Sequence, residues 1–306
     1  MNQNFLKAAV VQAAPVLFNK AATTEKTVGL IQEAADNGAD LILFPETFIP
    51  CYPRGFSFGM RVGSRSGDGR SLWERYFEES IDVPGPETEA IGVAAKAAGA
   101  YVGIGVTERD GGTLYCTLLY FGPDGSLLGK HRKIKPTGAE RLIWGEDDGS
   151  TLITLDSDYG KIGGLICWEN YMPLARMALY TQGIDIYLAP TADARDTWQS
   201  TMRHIAQEGR CYVLSSNQYV TKAMYPTDLP LGDELRIQPE VMSRGGSVIV
   251  SPLGHVIAGP LFDEEGILYA DLDMHQVVRG KLDFDVTGHY SRPDLFTYRF
   301  NKPDNR

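Results

Sequence analysis

The chain has 306 residues, 43% of them hydrophobic, which is enough to bury a large core. Its formal net charge is -10, with Asp and Glu spread along the chain rather than in blocks, which argues against a nucleic-acid or anionic-membrane surface and for small-molecule partners. No apolar run approaches the roughly 18 residues of a membrane span, and the N-terminus has no basic segment followed by a long apolar stretch, so a soluble, unexported, cytoplasmic protein is expected.

In chain order, apolar β-branched runs alternate with helical patterns. "AAVVQA" (8 to 13) reads as a strand, a helix follows from about Thr24 to Asn37 with Val28, Ile31 and Ala35 on one face, and Gly38 stops it before the strand "LILF" (41 to 44). A second unit repeats the pattern: a helix over roughly 87 to 98 with Ile91, Ala94, Ala95 and Ala98 on one side, then Gly99 and "YVGIGV". "TLYCTLLYFGPDGSLLGKHRKI" predicts two strands joined by a Pro-Asp-Gly turn. Further strands are expected at 152 to 155, 161 to 167 and 184 to 189, with a helix of about Pro173 to Gln182 between the last two. Trp198, Met202, Ile205, Ala206 and Gly209 mark one side of another helix, and "CYVLSSN", "GSVIVSP", "HVIAGP" and "ILYADLD" supply the remaining strands. Mixed parallel and hairpin strands with helices between them predict an α/β fold of two sheets packed face to face, helices outside, as a single domain. Residues 54 to 72 and 221 to 240 read as long surface loops.

Four cysteines (Cys51, Cys116, Cys167, Cys211) are widely spaced, with no CxxC pair, so neither a zinc site nor a disulfide framework is indicated. Cys167 is expected to end the strand "KIGGLIC" just before a helix with Pro173 in its first turn. A thiol there is either core filling or a nucleophile whose thiolate the helix terminus favours, and the Trp-Glu-Asn that follows tips the reading to a nucleophile, because burying that cluster is costly without a purpose. No histidine is clearly placed as its base, although His131 alternates with Lys133 on a strand and can share its face. Glu46, in "LILFPET", lies two residues beyond a buried strand, where α/β folds carry active-site groups and where exposed loop glutamates are also common. "GKHRKIKPTGAERLIWG" adds Lys133 and Glu140. Spacing alone does not bring Glu46, Lys133 and Cys167 together.

In these segments the chain resembles the nitrilase superfamily. "FPETFIPCYP", "HRKIKPTGAERLIWG", "CWENYMPLAR", "TWQSTMRHIAQEGRCYV", "SRGGSVIVSPLG" and "GHYSRPDLF" run nearly end to end in the family's order, and Trp-Glu after the cysteine is similar to the true nitrilase branch. The resemblance implies an αββα sandwich, with a hydrolase domain over 1–285 and a C-terminal segment over 286–306 at a subunit contact. It implies a Cys167 nucleophile, a Glu46 general base, a Lys133 cation that stabilises the tetrahedral species, and Glu140 as a second carboxylate that orients the site. Tyr52, Thr137, Trp168 and Glu169 align with residues that line or support the substrate pocket, while Trp144, Trp198 and the Ser-Arg-Gly-Gly turn at 243 to 246 are assigned structural roles. The implied activity is hydrolysis of an organic nitrile to the acid and ammonia by a homodimer or higher homo-oligomer, with no metal or organic cofactor. Enzymes of the same fold that stop at the amide or start from one, and a non-enzymatic binding scaffold, are the alternatives. "FIPCYPRGFSFG" is taken to favour an apolar, partly aromatic pocket. Two departures stand out: Asp147 occupies a position where relatives commonly carry glycine, and the chain stops soon after "GHYSRPDLF", where many relatives continue into a long tail.

Overall fold

The strand Leu41–Leu43 shows how the sequence builds the layers. All three side chains are buried, but they alternate: Leu41 and Leu43 pack into the space between two sheets, while Ile42 faces an outer helix layer. The same alternation runs through Phe5–Gln12, with Ala8 and Val10 inward and Ala9 and Val11 outward.

The computed structural model describes residues 4–300. One seven-stranded sheet runs in the order Gly266–Asp273, Phe5–Gln12, Leu41–Leu43, Tyr101–Asp110, Thr113–Phe121, Leu127–Arg132, with Ile81–Asp82 also paired to Tyr101–Asp110. The second, also seven-stranded, runs Tyr219–Thr221, Val241–Val250, Tyr212–Ser215, Ile186–Leu188, Gly160–Gly164, Thr154–Ser157, with Val256–Phe262 paired to Val241–Val250. Both sheets mix parallel and antiparallel pairs. The helices Lys20–Asp36 and Pro86–Ala98 cover the outer face of the first sheet through Ile31, Ala34, Ile91 and Ala95. Pro173–Thr181 and Asp196–Gly209 cover the second through Ala178, Leu179, Trp198, Met202 and Ile205. The result is the expected four-layer αββα sandwich.

Local chemistry sets the boundaries. Asn19 accepts a hydrogen bond from the Ala22 N–H at 2.9 Å and starts the first helix at Lys20, four residues before the apolar stripe announces it. Ser66 caps Gly67–Glu79 in the same way, so the stretch expected to be a loop over 54 to 72 contains a two-residue hairpin (Met60–Arg61 with Ser64–Arg65) and the first turns of a helix. The segment 221–240 likewise holds two short helical turns, Lys222–Met224 and Asp233–Arg236. Ser243 to Gly246 are not a turn but part of Val241–Val250, where Gly245 (φ 84°) and Gly246 (φ 108°) bulge the strand and shift its register against Val256–Phe262.

No helix among the described residues is long and apolar enough to cross a membrane.

Candidate active site

The strand "KIGGLIC" stops earlier than its apolar pattern suggests, at Gly164. Leu165 and Cys167 still donate their N–H groups to Leu188 and Pro190 at 3.1 and 2.9 Å, and Cys167 then opens a tight 3-10 turn, Cys167–Tyr171, with φ at +52°. A non-glycine residue in the left-handed region is strained and persists only where the surroundings hold it. Here the Asn170 amide donates to the Leu165 and Cys167 carbonyls at 3.0 and 2.7 Å, and the Tyr187 hydroxyl and Arg176 guanidinium hold Asn170 in turn. The chain thus presents one cysteine at a sharp corner where a strand gives way to a helix.

Glu46 is delivered from the other sheet by a similar device. After Leu41–Leu43 the segment Pro45–Thr47 lies across Gly105, where an added Cβ would sit 2.3 Å from the Pro45 carbonyl oxygen and 2.6 Å from Glu46 Cα. Thr47 is also left-handed, with φ +42°. Lys133 follows directly on Leu127–Arg132 and is anchored by its N–H to the Cys116 carbonyl at 2.8 Å.

Glu46 and Lys133 meet in a buried cluster with Glu140, close enough to Cys167 for their charges to act on its thiol. Lys133 Nζ lies 2.7 Å from Glu46 Oε1 and 2.8 Å from Glu140 Oε2, with Lys133 and Glu46 fully buried. Glu140 is itself held by the Tyr52 hydroxyl and the Thr137 N–H, both at 2.7 Å. Cys116 donates to the same Glu46 oxygen that Lys133 contacts, at 3.5 Å. Among the described residues Glu46 Oε2 is buried with no hydrogen-bond partner.

Burial raises the Glu46 pKa above 4.5; Lys133 pulls it back and Glu140 pushes it further up. For Lys133, burial alone would lower the pKa, but its acidic neighbours, the Glu46 carboxylate foremost, outweigh it and hold the ammonium charged. The Cys167 thiol departs from expectation. Burial, then Glu46, push its pKa up, and Lys133 and the Thr191 hydroxyl, which donates to Sγ at 3.2 Å, only partly offset this. A five-residue turn supplies too little dipole to overcome desolvation, so burial favours the thiol over the thiolate.

Above Cys167 opens a cavity of about 570 Å³ whose wall includes Tyr52, Thr137, Glu140 and Trp168. Trp168 is 40% exposed, with its indole N–H donating to Asp193 at 2.9 Å and Arg195 stacked over its ring. The apolar, partly aromatic lining expected from "FIPCYPRGFSFG" forms in part: Tyr52 of that segment lines the wall together with Trp168, Val241 and Met242. Phe56 and Phe58 turn inward against Phe18, Tyr76 and Tyr225, while Arg54, Arg195, Arg244, Asp193 and Asp263 line the mouth. Glu169 does not line the cavity but lies behind its wall, 1% exposed, and accepts from Ile166 N–H, Ile134 N–H and His131 Nε2. Asp147 caps its own loop, accepting from the Gly149 N–H and the Thr151 hydroxyl, both at 2.9 Å. Trp144 packs edge-on to Tyr52 in the site's apolar floor, and Trp198 is buried in the second helix layer.

Three contributors carry no role in the sequence reading: Cys116, named there only as a widely spaced cysteine, Asn170, named only as part of the Trp-Glu-Asn cluster, and Thr191. Thr191 had a signal: "LAPT" at 188 to 191 repeats the strand-then-proline exit of "LFPE" at 43 to 46.

Residues 7–281 match the family model described as carbon-nitrogen hydrolase. The fold is shared with a carbon-nitrogen hydrolase from Helicobacter pylori G27, at TM-score 0.74 and 21% identity over 97% of this chain and 98% of that one. The chain belongs to the carbon-nitrogen hydrolase family. Within it, the sequence falls in the nitrilase branch: it is 56% identical to an aliphatic nitrilase of Sinorhizobium fredii (95% of this chain, 94% of that protein) and 48% identical to a bifunctional nitrilase/nitrile hydratase of Lupinus angustifolius (97% and 86%).

Proposed function

We propose that the protein hydrolyses an organic nitrile to a carboxylic acid and ammonia through a covalent adduct on Cys167. The observation that carries this reading is the buried chain Glu46–Lys133–Glu140 beneath a cavity with Cys167 in its wall.

Because burial favours the neutral thiol, attack requires a base. Glu46 Oε2 takes the thiol proton as sulfur adds to the nitrile carbon, and the proton passes on to the nitrile nitrogen, giving a thioimidate. Glu46 then deprotonates a water that adds to the C=N bond, leaving a tetrahedral carbon bearing OH, NH2 and sulfur. The Lys133 ammonium offsets negative charge as it develops and keeps Glu46 ionised between turns. Cleavage of the C–N bond, with a proton delivered to nitrogen, releases ammonia and leaves a thioester. A second water releases the acid and restores the thiol. Glu140, fixed by Tyr52 and Thr137, orients Lys133, and Trp168 forms part of the substrate wall.

Cleavage of C–S instead of C–N at the tetrahedral stage would release the amide. Quantifying acid, amide and ammonia from short aliphatic nitriles tests the assignment: acid and ammonia in equal amounts support it, and amide as the main product refutes it.

The hydrolase unit is assigned to 1–285. Tyr171, Met172 and Leu174 are exposed apolar residues beside the described part of the C-terminal segment, 286–300, whose Tyr298 hydroxyl donates to the Leu174 carbonyl at 3.0 Å. We assign this surface to self-association as a homodimer or larger homo-oligomer, which sedimentation of Leu174→Glu against the unaltered protein would test. The four unpaired, buried cysteines fit a reducing, cytoplasmic setting.

A further inference from the structure

Lys133 and Cys167 come from different sheets. Lys133 leaves the end of Leu127–Arg132 in the first, and Cys167 follows Gly160–Gly164 in the second. No backbone ladder joins those strands, so side chains must fix where the ammonium sits relative to the thiol.

Glu169 spans that seam. Its Oε1 accepts the N–H of Ile134, the residue after Lys133, at 2.6 Å. Its Oε2 accepts the N–H of Ile166, the residue before Cys167, at 2.7 Å, and faces His131 Nε2 at 3.0 Å. His131 lies two residues before Lys133 on the same strand and is fully buried. One carboxylate therefore holds the flanks of both catalytic residues. Asn170 does a different job, closing the Cys167 turn on itself through the Leu165 and Cys167 carbonyls.

We infer that Glu169 is a positioning residue that pins the Lys133 strand end to the Cys167 turn, with His131 as its partner. The inference rests on the proposed catalytic roles of Lys133 and Cys167. Burial by itself would lower the His131 pKa, but the Glu169 carboxylate outweighs it and raises it, in keeping with a strut in which an Nε2–H donor faces Oε2 in a dry seam. Each of the two backbone donors claims its own carboxylate oxygen. Glu169→Gln keeps the shape but turns an amide N–H₂ toward one of those donors, which drives the two flanks apart.

The test compares kcat and KM of the full-length enzyme on a short aliphatic nitrile. Glu169→Gln is expected to lower kcat by ~100-fold, the scale of a 1 Å misplacement, with KM changed by less than ~3-fold. A second readout is the alkylation rate of Cys167 by iodoacetamide. Glu169→Gln should slow it in the parent enzyme and slow it by a smaller factor in a Lys133→Met background, because part of the strut's effect is exerted through Lys133. An unchanged kcat, a rise in KM in place of the fall in kcat, or slowing that multiplies across the two substitutions overturns the inference. If Glu169→Gln does not fold, His131→Gln, which retains a donor toward Glu169, should exceed His131→Leu in kcat by at least ~10-fold, and equal values overturn it. Cys167→Ala and Lys133→Met run alongside: activity surviving in either refutes the underlying catalytic roles, whereas both inactive beside a normal Glu169→Gln refutes only the strut.

Discussion

Replacing Lys133 by Met removes the cation between two carboxylates and leaves a side chain of similar length. Lys133 is fully buried, with Glu46 Oε1 at 2.7 Å and Glu140 Oε2 at 2.8 Å, so no solvent takes over the lost charge. Breaking a buried ion pair from one side costs about 3–5 kcal/mol. The variant can relieve part of this by binding protons, since Glu46 is already raised by burial and by Glu140 and loses the group that lowers it. The folded variant then binds protons that the unfolded chain, with ordinary glutamates, does not. That contribution to stability therefore grows as pH falls through the elevated Glu46 pKa, recovering about 1.4 kcal/mol for each unit of pKa elevation. Urea unfolding of parent and variant at pH 8 and pH 5.5 measures this, and the deficit should be smaller at the lower pH. Turnover should fall by at least ~10²–10³, the usual loss of one preorganised charge at a transition state, with a further loss because Glu46 is protonated. A variant within tenfold of the parent kcat, or a stability deficit independent of pH, would refute the placement of Lys133 as the cation of the site.

Two substitutions should move the acid limb of kcat/KM in opposite directions, because Glu46 must be ionised to act. Glu140→Gln removes a charge that raises Glu46, so its limb should shift to lower pH; Cys116→Ala removes a hydrogen bond that lowers it, so its limb should shift to higher pH. Initial rates across pH 4.5 to 8 decide both, and shifts of the same sign would contradict the charge arrangement. Trp198→Ala should destabilise the protein by about 3–5 kcal/mol, since the side chain is fully buried and its indole N–H donates to Ser215 Oγ at 2.9 Å. Chemical denaturation reads this directly, and a loss under about 1 kcal/mol would show that the helix layer repacks around the gap.

The layers of the fold were legible because burial on two sides writes itself as period: Leu41 to Leu43, Ile91 to Ala98 and Trp198 to Ile205 declare strand and helix through apolar spacing. What periodicity does not report is capping. Gly67–Glu79 has a mostly polar sequence, and Ser66 rather than an apolar stripe announces it, so the region read as loop. The bulged strand at Gly245 and Gly246 was hidden for a related reason, since two adjacent glycines signal a turn unless the pairing on both sides is known.

At the site, residue type at a strand end identified Glu46, Lys133 and Cys167 as candidates, and the resemblance supplied their roles. Their meeting depended on which sheet each strand joins, which no local pattern encodes. Of the two neighbours expected to line or support the pocket, Trp168 lies in the cavity wall and Glu169 lies behind it, holding backbone. On a 3-10 turn consecutive side chains diverge by about 120°, so one faces the cavity and the next faces the seam. The protonation state of Cys167 was missed because sequence shows the turn that would stabilise a thiolate but not the depth of burial that opposes it.

The most direct check of the proposed chemistry is ammonia release from short aliphatic nitriles by the parent enzyme and by Cys167→Ala, with folding of both verified by circular dichroism. Ammonia and the matching acid from the parent, and neither from Cys167→Ala, is the expected result. Turnover of a nitrile by Cys167→Ala at the parent rate would contradict covalent catalysis at this cysteine.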